Sequence, residues 1–437
     1  MRTVTAFEHD YVSVNATPAD NELSFEEVKL LDRSQLSMGA SAFSWAGQNR
    51  IKIAQYVGLI ASSSIRLEIL PKIEKVDHLE TRGTLLKMVA ASLSIPIYDG
   101  DITPLNTQDK DLLDIIILVF ARRLIVEIRK GLNRNYRRQT DDLPRLRGKL
   151  DITRKFTKFA AMPQILACEF DEFTPDIAMN QLLLCAVNCL MRYTNSNQAM
   201  KLLSEAHASL AFVSSVDVTH ALRQHVSIDR KNERWLPSLK LARLLLEALY
   251  QTAHSGRQDG VALLFDMNKL FEAYVTRIAQ KVLRPLGFDV FSQKPQRVLV
   301  KGTDGTGAFW TKPDIYIAKN GLTFIVDTKW KMLDFSNKTF GVSQADAYQM
   351  HAYSRVYGAK ACVLLYPDLS SLSGVQKTWY FQNSASENIE DDSSRLSVAT
   401  IDILDENKMG QVLLSLIDDY FKKNDPSVKS EILSVVT

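Results

Sequence analysis

The chain has 437 residues, enough for two or three domains with sizeable cores, and its 46% apolar and 24% charged residues exclude a mainly disordered protein. No stretch approaches the roughly 18 uninterrupted apolar residues of a membrane span, and the opening segment from Met1 lacks a signal-peptide hydrophobic region, so a cytoplasmic protein without a membrane partner is expected. Four cysteines (Cys168, Cys185, Cys189, Cys362) form no Cys-x-x-Cys and seven histidines no zinc-type pair, which points to buried thiols and leaves hydrolytic zinc chemistry unsupported.

From residue 4 to about residue 75 the pattern is one of short strands and turns, clearest over 49–60 and 64–73. It predicts a small β domain over residues 1–76, a partly closed barrel. Residues 77–254 read as mainly helical, with apolar helices over 112–127, 180–193 and 236–250. The formal net charge is +3, but between Arg122 and Lys158 thirteen Lys or Arg face four acids, so the basic charge sits in one segment. Such a patch suits phosphate backbones, an acidic partner surface, or simply solvent. A polar, Gly-containing break over 252–260 marks a boundary, and a third domain is expected over 255–437.

In that last domain Met267, Leu270, Phe271, Tyr274, Ile278 and Val282 recur at helical spacing, predicting a helix over 266–283 packed on a sheet. Strands are expected over 288–291, 297–300, 360–366 and 378–381, with a helix over 343–357 begun by Ser343 as N-cap and Asp346 in capping-box position and ended by Gly358. Residues 382–394 read as an exposed loop. The Gly302 to Gly307 stretch is not a phosphate loop, because a strand follows it and no Gly-Lys-Ser/Thr completes it.

The strongest chemical signal lies between two further strands, 312–318 and 322–331, joined by Asn320-Gly321, a dipeptide that favours a two-residue type I′ turn. Such a turn fixes the register: Lys319 faces Leu322, Tyr316 faces Ile325, and Asp314 faces Asp327. Opposed like charges with Cβ atoms roughly 4.5–5.5 Å apart are destabilising unless something offsets them. Alternation places Asp327 and Lys329 on one face and Phe324, Val326, Thr328 and Trp330 on the other, apolar one. Two carboxylates supply hard oxygen ligands for Mg²⁺, and a nearby Lys can orient water or stabilise charge on a phosphoryl oxygen. This is equipment for phosphodiester hydrolysis. A one-residue bulge would break the register.

Lys312-Pro313-Asp314, Asp327-Thr328-Lys329 and the segment from Asp346 through Gln349 to Tyr353 together resemble the PD-(D/E)xK nucleases. Further segments, 265–272, 56–60 with 67–73, 146–151, and 168–173 with Asn180, look like McrC, the nuclease subunit of McrBC modification-dependent restriction systems. The likeness covers nearly the whole chain. It implies an α+β multidomain protein: an N-terminal β domain that docks a partner, a helical middle region, and a C-terminal α/β PD-(D/E)xK core with a mixed sheet. It also implies Asp314 and Asp327 as metal ligands, Lys329 as the catalytic lysine, Glu272 and Thr328 as further metal contacts, and Gln349 and Tyr353 as helpers that orient the lysine or DNA. The second acid is Asp where many relatives carry Glu. The implied partners are double-stranded DNA and an McrB-like AAA+ hexamer that binds the GTP and whose hydrolysis this chain stimulates. Two other functions fit the residues less fully: a stand-alone repair or recombination nuclease, and a mainly regulatory assembly subunit of an AAA+ NTPase.

Overall fold

Short apolar runs in the N-terminal region form β1 (Arg2–Phe7), β2 (Tyr11–Ser13), α1 (Phe25–Leu36), β3 (Phe43–Trp45), β4 (Arg50–Ile53), β5 (Tyr56–Ser62) and β6 (Ile65–Leu70). The computed structural model describes residues 2–36, 41–62, 64–73, 76–95, 111–253, 260–368, 373–381 and 394–424. β6 is buried along its whole length because it is an interior strand, pairing in parallel with β1 and antiparallel with β5. The outer neighbour of β5 comes from far along the chain: β10 (Gly260–Asp266) runs antiparallel to it from Gly260↔Ser62 to Asp266↔Tyr56. The order is β1-β6-β5-β10, and β2-β4-β3 form a separate small sheet. Two open sheets thus stand where a partly closed barrel is expected. Strand β10 escapes sequence reading because it follows the predicted break, most of which (254–259) lies outside the described residues.

Gly58 explains part of the 56–60 motif. Its φ is +132°, and an added Cβ would lie 1.9 Å from the Leu263 carbonyl oxygen, so only glycine lets β10 close onto β5. The charged residue of the 67–73 motif is also accounted for. Glu68 is fully buried on β6 and receives two hydrogen bonds from Arg82, at 2.8 and 2.5 Å. A buried carboxylate needs that many partners to offset its desolvation.

The middle region contributes α2 (His78–Ser92), α3 (Leu112–Arg129), β7 (Asn135–Leu143), β8 (Lys149–Leu150), α4 (Ile152–Lys158), β9 (Leu166–Thr174), α5 (Ala178–Leu190), α6 (Asn197–Ser209), α7 (Val218–Arg223) and α8 (Leu236–Ala253). Helices α3 and α5 are apolar on nearly every face and are buried accordingly. Part of the basic segment is not helix and loop but an exposed ribbon, β7 pairing with β9 from Asn135↔Thr174 to Leu143↔Leu166. Its charge is partly neutralised by acids that the segment count omits: Arg138 pairs with Glu169 at 2.5 Å, Arg147 with Glu172 at 3.3 Å and Arg137 with Asp176 at 3.2 Å. Tyr136 and Phe173 pack on its surface as a tilted ring pair, centroids 5.1 Å apart. Asn180 is buried and donates to the carbonyls of Asn133 and Pro175, tying the ribbon's base to α5. Cys168, Cys185 and Cys362 are buried free thiols and Cys189 is half-buried, as expected.

The last region holds α9 (Met267–Leu283), β11 (Asp289–Ser292), β12 (Arg297–Lys301), β13 (Gly307–Thr311), β14 (Ile315–Lys319), β15 (Leu322–Thr328), α10 (Gln344–Tyr357), β16 (Ala361–Pro367), β17 (Gly374–Tyr380), β18 (Arg395–Ile401) and α11 (Glu406–Asn424). The mixed sheet has the order β11-β14-β15-β16-β18-β17. Residues Phe324 and Val326 of β15 join the main core, whereas Ile325 joins a second cluster with Met350, Tyr353, Leu364 and Tyr366. Helix α10 has the expected capping box at Ser343 and Asp346, and Gly358 ends it with φ +65°. The glycine-rich stretch is the tip between β12 and β13, not a phosphate loop. The predicted loop at 382–394 falls almost entirely outside the described residues, and none of the described helices is long and apolar enough to cross a membrane.

The Gly58→Ala variant is expected to lose about 3 kcal/mol or more of unfolding free energy in urea titration, from overpacking and a strained φ together. A loss below about 1 kcal/mol would show that the close strand contact is not needed.

Candidate active site

Asn320 and Gly321 both have positive φ, +52° and +79°, as a type I′ turn requires. The ladder then has the expected register, from Lys319↔Leu322 through Tyr316↔Ile325 to Ile315↔Val326. It stops one step before the two aspartates, which corrects the expectation that Asp314 and Asp327 face each other as a ladder pair. Pro313 has no N–H with which to continue pairing. The Asp314 carbonyl instead accepts from Gln293 N at 2.9 Å, and its Oδ2 accepts from Thr328 N at 2.8 Å and Thr328 Oγ1 at 2.9 Å. On its other side β15 runs parallel to β16, with Asp327↔Leu364, and Lys329 N donates to Leu365 O at 2.9 Å. Strand β15 therefore ends at Thr328 rather than 331.

The face that carries Asp327 is not open to solvent either. It is covered by α10, leaving Asp327 1% exposed. Lys329 Nζ lies 2.6 Å from Asp327 Oδ2, an ion pair, although that oxygen makes no well-directed hydrogen bond. Burial and the repulsion of Asp314 push the Asp327 carboxyl up to about 7 despite the lysine. Asp314 is raised mainly by burial, against the pull of its Thr328 bonds and of Lys329. Burial works against the Lys329 ammonium, but Asp327, Asp346 and Asp314 outweigh it and hold its pKa above the ordinary lysine value.

Helix α9 brings in Glu272. Its carboxyl is raised to about 7 by burial first and by Asp314 second, and its Oε1 accepts from Gln293 Nε2 at 2.7 Å. The helper residues also arrive. Gln349 Oε1 lies 3.4 Å from Lys329 Nζ, Gln349 Nε2 donates to the Tyr353 hydroxyl at 2.9 Å, and that hydroxyl donates to Lys312 O at 2.9 Å. Burial lifts the Tyr353 phenol to about 12, so it is a neutral donor. Asp346 has a place at the site that its capping position alone does not reveal: it stands 3.7 Å from Lys329 Nζ and 3.2 Å from Lys331 Nζ. The available signal is that it precedes Gln349 by three residues, on the same helical face. Gln293 carried no signal, and Asn268 lies within the 265–272 motif without a role of its own there; Asn268 Oδ1 accepts from Trp330 N at 3.3 Å and so holds the strand end against α9.

The chemistry of this donor set fits a divalent cation. Asp327 Oδ2 is buried and faces the Lys329 ammonium without a well-directed hydrogen bond, and the charge of Asp314 raises both Asp327 and Glu272. Among the described residues no three Asp, Glu, His or Cys side chains are gathered tightly enough to hold an ion by protein ligands alone. Mg²⁺ characteristically keeps several waters and needs only one or two carboxylates. Thr328 supports the site through Asp314, to which both its N–H and its hydroxyl donate.

Residues 51–367 match the family described as McrBC 5-methylcytosine restriction system component. A chain of the half-complex from the tetradecameric assembly of Thermococcus gammatolerans McrB AAA+ hexamers with bound McrC is similar over 95% of this chain and 100% of that one, at 20% identity and TM-score 0.69. A chain of the Thermococcus gammatolerans McrBC complex is similar over 64% of this chain and 88% of that one, at 24% identity and TM-score 0.49. No curated protein matches. These findings bear out the family read from the motifs and the α+β fold with its mixed sheet.

The raised carboxyls have a consequence for stability. A proton on Asp327 or Glu272 is favoured by the folded state, so this stabilisation is complete below about pH 4 and is lost as pH rises through about 7. Without divalent cations, Asp327→Asn is expected to melt about 2 °C or more above the unsubstituted protein at pH 8, a gap that narrows as pH falls below about 7 and closes only below about pH 4. A lower melting temperature at pH 8 would show instead that the Lys329 ion pair outweighs the repulsion.

Proposed function

The chain belongs to the McrBC 5-methylcytosine restriction system component family, and from that premise we propose that it is the Mg²⁺-dependent DNA endonuclease subunit of such a system. It acts in the cytoplasm, cleaves in complex with an AAA+ GTPase and stimulates that partner's GTP hydrolysis. The observation that supports this most is Asp327, 1% exposed and raised to about 7, with the Lys329 ammonium at 2.6 Å. A buried carboxylate set against other acids is a poor stabilising device, and perturbed groups of this kind cluster at functional sites.

Asp314 and Asp327 would hold the cation, with Glu272 beside them. When bound, Mg²⁺ supplies positive charge to a phosphoryl oxygen and lowers the pKa of a water. The protein's own groups do the rest. Thr328 fixes the Asp314 carboxylate through two hydrogen bonds, and Gln293 fixes Glu272. Lys329, held among Asp327, Asp346 and Gln349, keeps its proton and offers a fixed cation to the charge that develops on the phosphate. The partner reading is supported by the similar chain's setting, an assembly of McrB AAA+ hexamers with bound McrC. It is also supported by the exposed β7–β9 ribbon, whose paired Tyr136 and Phe173 rings are open to solvent.

Plasmid cleavage tests the proposal. With Mg²⁺, GTP and an McrB-like AAA+ partner, the unsubstituted chain is expected to cut, and Asp327→Ala to cut about 10²-fold more slowly or worse while still stimulating GTP hydrolysis. Full cutting by Asp327→Ala would refute the assignment. Cutting without partner or GTP would favour a stand-alone nuclease, and stimulation of GTP hydrolysis without any cutting would favour a regulatory subunit.

A further inference from the structure

The β12–β13 ribbon presents a surface that the active-site residues do not use. Its strands pair from Arg297↔Thr311 to Lys301↔Gly307 and, among the described residues, with no other strand. Phe309 is 75% and Trp310 66% exposed, and Leu299 and Val300 are exposed as well. A two-stranded hairpin that is apolar and open to solvent on both faces is marginal by itself and marks an interaction site. Phe309 also has φ +56°, a conformation that a bulky residue rarely adopts, so its display is maintained against strain.

The charge around these rings says what covers them. Residues 293–312 contain Lys294, Arg297, Lys301 and Lys312 against one acid, Asp304, whose carboxylate is engaged at the ribbon tip by Thr306 N at 2.9 Å and Thr306 Oγ1 at 2.7 Å. Arg297, Leu299, Lys301 and Trp310 line an open groove of about 610 Å³ together with Arg355 of α10. The base of the ribbon is fastened. Tyr357 Oη lies 2.7 Å from Pro295 O and 2.9 Å from Thr311 O, and Arg297 donates to Val356 O at 3.1 Å while stacking over the Tyr357 ring. The chain then runs from Thr311 straight into Lys312-Pro313-Asp314. Trp310 and Asp314 are four residue steps apart, a span of at most about 14 Å.

We propose that β12–β13 is a DNA-binding ribbon that enters a groove of the duplex, with Arg297, Lys301 and Arg355 on phosphates and Phe309 and Trp310 against the groove. Two-stranded ribbons fit the major groove, and apolar wedges flanked by Arg and Lys are a recurrent way of holding bent DNA. Cations interleaved with aromatics match a polyanion better than they match an apolar protein surface. The inference rests on the nuclease reading and deepens it by naming the element that delivers a phosphate to Asp314 and Asp327.

The test is binding of a labelled duplex of about three helical turns to the full chain in EDTA, read by fluorescence anisotropy across a salt series. Because no cleavage is read, its outcome is separable from that of Asp327→Ala. Arg297→Glu with Lys301→Glu is expected to weaken binding about tenfold or more and to lower the salt slope by about two. Phe309→Ser with Trp310→Ser is expected to weaken binding about tenfold with the slope unchanged and to keep the parent melting temperature; both variants should keep the parent mass in sedimentation, and the charge variant, which loses the Arg297 bond to Val356 O, is expected to melt lower. Duplex binding by both variants equal to the parent's would overturn the proposal. So would no binding by the parent, or a self-associated parent that the aromatic variant dissociates, which would make the ribbon a contact between copies.

Discussion

Three carboxyl groups, the buried Asp327 and the half-buried Asp314 and Glu272, lie within reach of one another's charge, and much of the C-terminal fold can be read as support for that arrangement. Burial and mutual repulsion both favour the protonated form, while Lys329 favours the ionised one. Repulsion and burial win at Asp327 and Glu272, both of which lie near 7. At neutral pH without a cation these groups are poised between charged and neutral forms, and a divalent ion would resolve the conflict by drawing both protons off. The supporting bonds are directional: Thr328 on Asp314, Gln293 on Glu272, Gln349 and Asp346 around Lys329. Each comes from a different element, so the site depends on β15, α9, α10 and the segment after β11 being fixed together.

That fixing extends to the N-terminal sheet. β10 completes the sheet of β1, β6 and β5, and its last residue, Asp266, accepts from Asn268 N as the N-cap of α9, the helix that carries Glu272. Trp330, directly after Lys329, packs on Phe271 and donates its indole N–H to Glu8 Oε1 at 2.7 Å. Glu8 is itself buried, with a carboxyl raised by that burial, and is also held by Lys72 N at 3.0 Å. The strand end that positions the lysine is thus bonded to the opposite end of the sequence, across 322 residues. A nuclease module able to drift away from the N-terminal sheet would leave Glu8 buried without its indole partner, which is costly.

What could be read from sequence was local. Asn320-Gly321 determined a turn and hence a register, and Ser343, Asp346 and Gly358 delimited α10, because each signal acts within a few residues. Pro313 limits how far that register reaches, and the Asp314 to Thr328 bonds that replace the last ladder step depend on Gln293, twenty-one residues upstream of Asp314, for their setting. Strand β10 could not be placed, since its partner β5 lies some two hundred residues earlier and its N-terminal approach is polar. The basic segment was legible as charge but not as a ribbon, because the acids of β9 that offset it fall outside the counted window. Asp346 was visible as a cap and as the first residue of the segment through Gln349 to Tyr353, but its place beside Lys329 requires the tertiary approach of α10 to β15.

The most direct test of the account is where a cation binds. A crystal of the full chain soaked in Mn²⁺ and measured for anomalous scattering is predicted to show a peak between the Asp314 and Asp327 carboxylates, with oxygen ligands at about 2.0–2.2 Å and Lys329 displaced from its contact with Asp327 Oδ2. An empty position there, with Lys329 still paired to Asp327, would contradict it and leave the buried carboxylates as a purely structural ion-pair network.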